Sequence, residues 1–139
     1  MTKLRRLYET PEHLKEEGRV IEALCARWEC EWWKLPLTYR LDYALTSSDD
    51  EIKAWLEIKC RNKKYPEMHL SLHKVMAGLE LSRVTGLPFL LVYAFGDEIY
   101  WKIIGPENLK IVMWGRTDRG DWQDTEPTVV FPLESFKAL

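Results

Sequence analysis

Two carboxylates and a lysine stand on neighbouring segments of the chain with a spacing that suits the binding of a metal ion. Asp42 lies in the stretch LDYAL, and Glu57 and Lys59 lie in LEIKC. Both stretches alternate in polarity, and the turn-forming run TSSDD separates them. The sequence therefore predicts a β-hairpin with strands over 38–45 and 52–60. The chemistry available to the three side chains depends on how these strands pair.

The apolar residues of the two strands determine the register of this hairpin. In an antiparallel hairpin the numbers of any two paired residues have the same sum. A slip of one residue changes this sum by one and turns one strand over, so the two apolar sets share a face only when the sum is odd. A register with its turn centred near Asp49–Asp50 meets this condition and pairs Tyr43 with Leu56 and Leu41 with Ile58. The apolar set that it places on one face is Leu41, Tyr43, Leu45, Ala54, Leu56, Ile58 and Cys60.

On the other face, the same register places Asp42 opposite Glu57, with Lys59 on the same side. Opposed residues have Cβ atoms about 4.5–5.5 Å apart, and two carboxylates at that distance repel each other unless a positive charge lies between them. Mg²⁺ suits this position because it binds through one or two carboxylates and keeps several waters, while a nearby lysine keeps the carboxylates ionised. The alternative is a solvated face with a cross-strand ion pair. That alternative accounts for Glu57 and Lys59 but not for Asp42 facing Glu57.

Two helices are predicted around the hairpin. Residues 1–9 form a basic lead-in, and a Thr10 cap with Pro11 begins a helix whose apolar spacing continues to about Lys34. A second helix is predicted from about Glu67 to Thr85, where Gly86 ends it.

The remaining segments predict a mixed α/β fold in a single domain over 1–139. The run FLLVYAF at 89–95 is almost continuously apolar, which indicates a central strand covered on both faces. Further strands are predicted at 99–104, around 109–114 and around 128–131, and the final PLESFKAL predicts a short helix. Helices and strands in this order favour a mixed β-sheet flanked by helices.

Composition narrows the class of protein without identifying a partner. The 139 residues are 46% hydrophobic and 30% charged, which is typical of a folded domain, and the net charge of -2 neither requires nor excludes a nucleic acid. We expect no signal peptide and no membrane span. Three cysteines without a CxxC motif indicate a reduced, cytoplasmic protein, with Cys25 and Cys30 as core thiols.

An Asp followed by Glu-X-Lys on the next strand resembles the PD-(D/E)XK nuclease superfamily. Glu22 in GRVIEAL stands where the family carries a glutamate on its first helix. Lys74 is the best match for the polar residue on the helix that follows the lysine strand, and Ser71 and His73 are other options. The resemblance covers about 11–104 and implies a restriction-endonuclease-like core of order αβββαβ. Its third strand would come from the segment after the hairpin or from a later strand.

The resemblance also implies an activity, which is metal-dependent hydrolysis of phosphodiester bonds in DNA. Asp42, Glu57 and the carbonyl of Ile58 would bind Mg²⁺ or Mn²⁺, and Glu22 would hold a second metal or a metal-bound water. Lys59 would assist the attacking water. The residues that would contact DNA phosphates are Lys74, Arg61, Lys63 and Lys64. The family resemblance favours a small stand-alone endonuclease, Holliday-junction-resolvase-like or phage-encoded, over an exonuclease, and it is compatible with a homodimer.

Several alternatives remain open at this point. The chain could be a catalytically weak nucleic-acid-binding or interaction module on the same fold, or an unrelated α/β binding protein. Arg61, Lys63 and Lys64 could form only a solvated loop. His69 and His73 have the spacing of paired metal ligands on a helix, but the glutamate of an HExxH zinc motif is absent.

Overall fold

The computed structural model describes residues 11–115 and 125–139, so the predicted lead-in over 1–9 and the Thr10 cap lie outside the described residues. Within these ranges two α-helices accompany a six-stranded sheet and a three-stranded sheet. The elements are α1 (Pro11–Trp28), β1 (Glu31–Lys34), a 3₁₀ turn (Leu37–Tyr39), β2 (Tyr43–Thr46), β3 (Ile52–Arg61), β4 (Glu67–Ser71), α2 (Leu72–Thr85), β5 (Phe89–Phe95), β6 (Glu98–Ile103), β7 (Lys110–Gly115), β8 (Thr125–Pro132), a second 3₁₀ turn (Leu133–Ser135) and β9 (Lys137–Ala138).

The six-stranded sheet confirms the predicted mixed α/β class. Its order is β1-β2-β3-β5-β6-β9, in which β3 and β5 are parallel and the other neighbours are antiparallel. All seven residues of β5 are buried, as the apolar run predicted. The three-stranded sheet has the order β4-β8-β7. The predicted strands near 99–104, 109–114 and 128–131 correspond to β6, β7 and β8.

The hairpin register is confirmed, but the first strand is shorter than predicted. Tyr43 pairs with Leu56, as the apolar alternation required. Leu41 does not pair with Ile58: Arg40 has a left-handed φ of 63°, and this turns the chain just before the strand. Leu41 consequently packs in the apolar cluster on the opposite side of the sheet from Tyr43.

The predicted extent of the first helix is wrong at its C-terminal end. The helix ends at Trp28, Glu29 adopts a left-handed φ of 54°, and Glu31–Lys34 forms an edge strand paired with β2. Pairing with β2 satisfies backbone groups that a longer helix would have satisfied within itself, so tertiary context decides the conformation. This strand precedes the hairpin and supplies the third strand that was expected after it.

The predicted start of the second helix is also wrong. Residues Glu67–Ser71 form β4, which pairs with β8, and the helix begins at Leu72. The period of two is visible in the burial of Met68 and Leu70 on either side of the half-buried His69. His69 therefore lies on a strand and shares no helical face with His73, so the paired-ligand spacing does not arise. The last segment is a 3₁₀ turn and the short β9, in place of the predicted terminal helix.

Both faces of the six-stranded sheet are covered. Helix α1 packs on the face that carries Leu56, Ile58 and Val92, whereas α2 and the three-stranded sheet lie over the face that carries Trp55 and Leu91. Helix α2 approaches β5 closely at Gly78, where a Cβ would overlap the Phe89 ring. This close contact fixes the position of α2 over β5.

Neither described helix combines the length and the apolarity that a bilayer crossing by a helix requires.

Candidate active site

Glu57 is a charged residue in a core position at the centre of the candidate site. Strand alternation places it on the α2 face of β3, where it is 1% exposed. Lys74, on the first turn of α2, lies 2.7 Å from its Oε1. Glu57 Oε2 is buried and has no hydrogen-bond partner among the residues that the structure describes. Since buried polar atoms are almost always paired, this oxygen is an orphaned acceptor that suits a cation.

The predicted cross-strand pairing of Asp42 with Glu57 is wrong, because β2 begins only at the next residue and Asp42 lies in the bend that precedes it. The backbone N–H of Asp42 donates to the carbonyl of Leu56 at 3.1 Å, which ties the bend to β3. Its side chain then accepts a hydrogen bond from the N–H of Ile58 at 2.8 Å through Oδ2. Lys34 Nζ lies 3.5 Å from the other oxygen, Oδ1. The bend therefore places the Asp42 carboxylate against the backbone of Ile58, next to Glu57.

The electrostatics of the site show how closely these groups interact. Burial, followed by the charge of Asp42, raises the pKa of Glu57 to about 7. Burial and the nearby Lys74 lower the pKa of Lys59. Burial disfavours the ammonium form of Lys74, but the carboxylates of Glu57, Asp42 and Glu17 outweigh this effect and raise its pKa. Two acids and two lysines thus share one poorly solvated space.

The acid of α1 that approaches this group is Glu17 rather than Glu22. Glu17 lies 3.5 Å from Lys34 Nζ and accepts a hydrogen bond of 3.3 Å from the Tyr43 hydroxyl. Glu22 is exposed and accepts a 3.1 Å hydrogen bond from the indole of Trp32. Five residues turn a helix by about 140° beyond one full turn, so the two acids occupy different faces.

The apolar spacing of α1 could have identified Glu17 as a residue that faces the sheet. Glu17 precedes the buried Ile21 and Leu24 by four and seven residues, so it lies on the stripe of α1 that faces the sheet. Lys34 was missed for a different reason, because its strand was predicted as helix.

The donor set fits a hard divalent cation with several waters. Within the described residues no group of three or more His, Cys, Asp or Glu side chains is arranged to hold a metal ion. Two carboxylates, Asp42 and Glu57, with a backbone carbonyl such as that of Ile58 form a smaller set, and Mg²⁺ characteristically binds through one or two carboxylates. The orphaned Glu57 Oε2 is the observation that favours this fit.

The four side chains that were predicted to contact DNA differ in their exposure and in their contacts. Arg61 is exposed at the end of β3, and Lys63 is exposed in the following loop. Lys64 lies 3.3 Å from Glu98 Oε1 and donates to the Tyr100 hydroxyl at 3.1 Å, on the side of β6. Lys74 is bound to Glu57, while Ser71 and His73, the other options for its place, both approach Glu126.

Known proteins with a similar sequence or a similar fold indicate the family of this chain. The family model described as "Phage putative PDDEXK endonuclease" matches residues 3–139. Among 11 solved chains that match is Hjc, a Holliday junction resolvase of the archaeal hyperthermophile Archaeoglobus fulgidus, with a TM-score of 0.56 and 14% sequence identity over 89% of this chain and 90% of that one. No curated protein matches the sequence. The match over almost the whole chain shows that this protein belongs to the family of phage PDDEXK endonucleases.

Proposed function

We propose that this chain is an endonuclease that hydrolyses phosphodiester bonds in DNA with the help of Mg²⁺ or Mn²⁺. The observation that carries the proposal is the fully buried Glu57, whose Oε2 has no hydrogen-bond partner in the described part of the chain, together with the Asp42 carboxylate bound to the N–H of the next residue, Ile58. A carboxylate in such a position lowers the stability of the metal-free fold, which suggests that Glu57 has a role other than stabilising the fold. Family membership supports the same chemistry.

In this proposal Asp42, Glu57 and the carbonyl of Ile58 hold the metal. When bound there, a divalent cation supplies charge neutralisation for the phosphate and makes water a stronger nucleophile at neutral pH. The hydrogen bond from the Ile58 N–H orients the Asp42 carboxylate. The ion pair with Lys74 orients Glu57 through Oε1, and Oε2 would remain available to a cation.

Lys59 acts on the substrate side of the site. It follows Glu57 on the same face of β3, and burial with the charge of Lys74 lowers its pKa. A lysine with a lowered pKa gives up its proton more readily. We assign it the orientation of the attacking water and the stabilisation of charge on the scissile phosphate.

Side chains around the proposed metal site are assigned supporting roles from their positions. The acid of α1 that we assign to a metal-bound water or a second metal is Glu17, because it shares Lys34 with Asp42, whereas Glu22 contacts Trp32. We assign phosphate contacts to the exposed Arg61 and Lys63 at the end of β3.

Two further proposals concern the setting of the protein. The three cysteines are free thiols, which fits a reducing, intracellular compartment where DNA is accessible. We also propose a homodimer whose contact surface includes the exposed Trp33 on the edge strand β1.

Cleavage of supercoiled plasmid at low salt tests the proposed function. We expect nicking or linearisation with Mg²⁺ or Mn²⁺ and none in EDTA, and we expect Asp42→Asn and Lys59→Ala to lower the rate by about 100-fold or more. Lys53→Ala is the matched control because Lys53 lies on the same strand and is solvent-exposed. A wild type that cleaves with neither metal, or variants that cleave as fast as Lys53→Ala, would contradict the proposal.

A further inference from the structure

A cleft of about 540 Å³ begins at Lys59 and extends away from the metal site. One wall is the end of β3, with Lys59 and Arg61, and the other is the three-stranded sheet, which contributes His69 and Trp114. Pockets for small molecules are about 300–1,000 Å³. The cleft therefore has room for a nucleoside-sized group directly beside the residue that we assign to the reacting phosphate.

Two aromatic rings are held in parallel in the wall of this cleft. His69 and Trp114 stack with centroids 4.3 Å apart and planes 11° from parallel. The Thr128 hydroxyl donates to the carbonyl of Val112 at 3.2 Å, so its oxygen is left to accept from His69 Nδ1 at 3.1 Å. These bonds set the tautomer and plane of His69, and the stack sets the plane of Trp114. Trp114 nevertheless remains 57% exposed.

A flat ring of this kind recognises the face of another flat ring. The faces of bases inside a duplex are covered by their neighbours, so only an unpaired or extruded base can stack on a side chain. Burial lowers the pKa of His69, so the ring next to Trp114 is neutral near pH 7 and suits a base better than a phosphate. The carboxylates of Glu67 and Glu126 also line this wall and are hydrogen-bond acceptors that exocyclic amino groups can use.

We infer that the cleft receives one unpaired nucleobase of the DNA substrate, with the base on Trp114 and its phosphate toward Lys59 and Arg61. This inference rests on the proposed function, since it takes DNA as the substrate. It names the substrate class as DNA with a single-stranded segment or a branch next to the cleavage point. The cations on β3 suit the phosphate of a nucleotide, and the rings and acids on the three-stranded sheet suit its base.

Binding without cleavage tests this inference. The probes are a fluorescein-labelled 15-residue oligodeoxycytidylate, whose bases carry an exocyclic amino group, and an abasic oligonucleotide of the same length, titrated in EDTA at one low salt concentration and followed by anisotropy. Wild type should bind the deoxycytidylate about tenfold or more tightly than the abasic probe, because stacking on an aromatic side chain contributes about 1–3 kcal/mol per base. Trp114→Ala should lose this difference, and Trp114→Phe should keep most of it.

Met113→Ala is the matched control, since Met113 precedes Trp114 on β7, is 63% exposed and points to the other side of the strand. The inference is overturned if wild type binds both probes equally, if Trp114→Ala retains the preference, or if Met113→Ala loses it as fully. Thermal melting of each variant checks the fold. A wild type that cleaves plasmid but ignores the base overturns this inference alone, and one that selects the base but never cleaves overturns the proposed function alone.

Discussion

The two faces of β3 are equally buried but opposite in chemistry. Leu56 and Ile58, toward α1, are 0% and 3% exposed, and Glu57 between them, toward α2, is 1% exposed. An apolar side chain in such a position stabilises the fold by leaving water, whereas a carboxylate loses its hydration. Burial alone therefore does not distinguish a structural residue from a functional one. The distinguishing feature is an acceptor left without a partner.

This difference leads to opposite expectations for substitutions on the two faces. Residues toward α1 contribute stability and should have little direct effect on chemistry. The charged residues toward α2, Glu57 and Lys59, should govern chemistry and metal binding, and some of their substitutions should leave the metal-free protein equally stable or more stable. Buried ion pairs often contribute little to stability, although removing one partner is costly.

The largest effect on stability is expected on the α1 face. Leu56→Ala should lower the free energy of unfolding by about 2–5 kcal/mol, because it leaves a cavity in the tightly packed cluster under α1. Urea denaturation measures this loss. The fraction that remains folded should cleave DNA with normal metal dependence. If stability were unchanged, or if catalysis by the folded protein were lost, the division between the faces would fail.

Breaking the Glu57–Lys74 pair should have a smaller effect. Lys74→Met should lower stability by about 2 kcal/mol at pH 8, because it leaves the Glu57 carboxylate buried without its partner, while the partial exposure of Lys74 limits the cost. The double variant Glu57→Gln, Lys74→Met should recover most of the loss. A double variant as unstable as the single one would show that Lys74 contributes packing rather than charge.

The pH dependence of stability should show the buried carboxylate directly. The pKa of Glu57 is raised from 4.5 to about 7 in the folded state, so between these values the folded protein binds more protons than the unfolded chain. Its stabilising contribution is complete below the unfolded pKa and is lost as the pH rises through the folded pKa. Metal-free wild type should lose about 2–3 kcal/mol between about pH 5 and pH 8. Glu57→Gln should lack this slope, and identical slopes in the two proteins would contradict the assignment.

Local alternation was sufficient to predict the central part of the fold and of the site. The apolar residues of the hairpin predicted the pairing of Tyr43 with Leu56, whereas the bend that brings the Asp42 carboxylate to the N–H of Ile58 was not predicted. The run FLLVYAF predicted the buried β5 for the same reason, because a strand covered on both faces is apolar throughout.

The errors lie where distant partners decide the conformation. Strands β1 and β4 have four and five residues, too few for a clear period, and each is stabilised by pairing with another strand. The mistaken helix end also concealed Lys34, and with it the link between Glu17 and Asp42. The stack of His69 on Trp114 joins residues 45 positions apart, on β4 and β7, through a sheet that no local pattern predicts.

The dependence of thermal stability on Mn²⁺ tests directly whether Glu57 binds a metal ion. With Mn²⁺ at about 100 times its dissociation constant, wild type should gain about 2.7 kcal/mol, and its melting temperature should rise by several degrees. Glu51→Gln, which changes an exposed acid just before β3, should show the same rise, and Glu57→Gln should show almost none. An unchanged melting temperature in wild type, or an equal rise in Glu57→Gln, would contradict a metal site at the buried carboxylate.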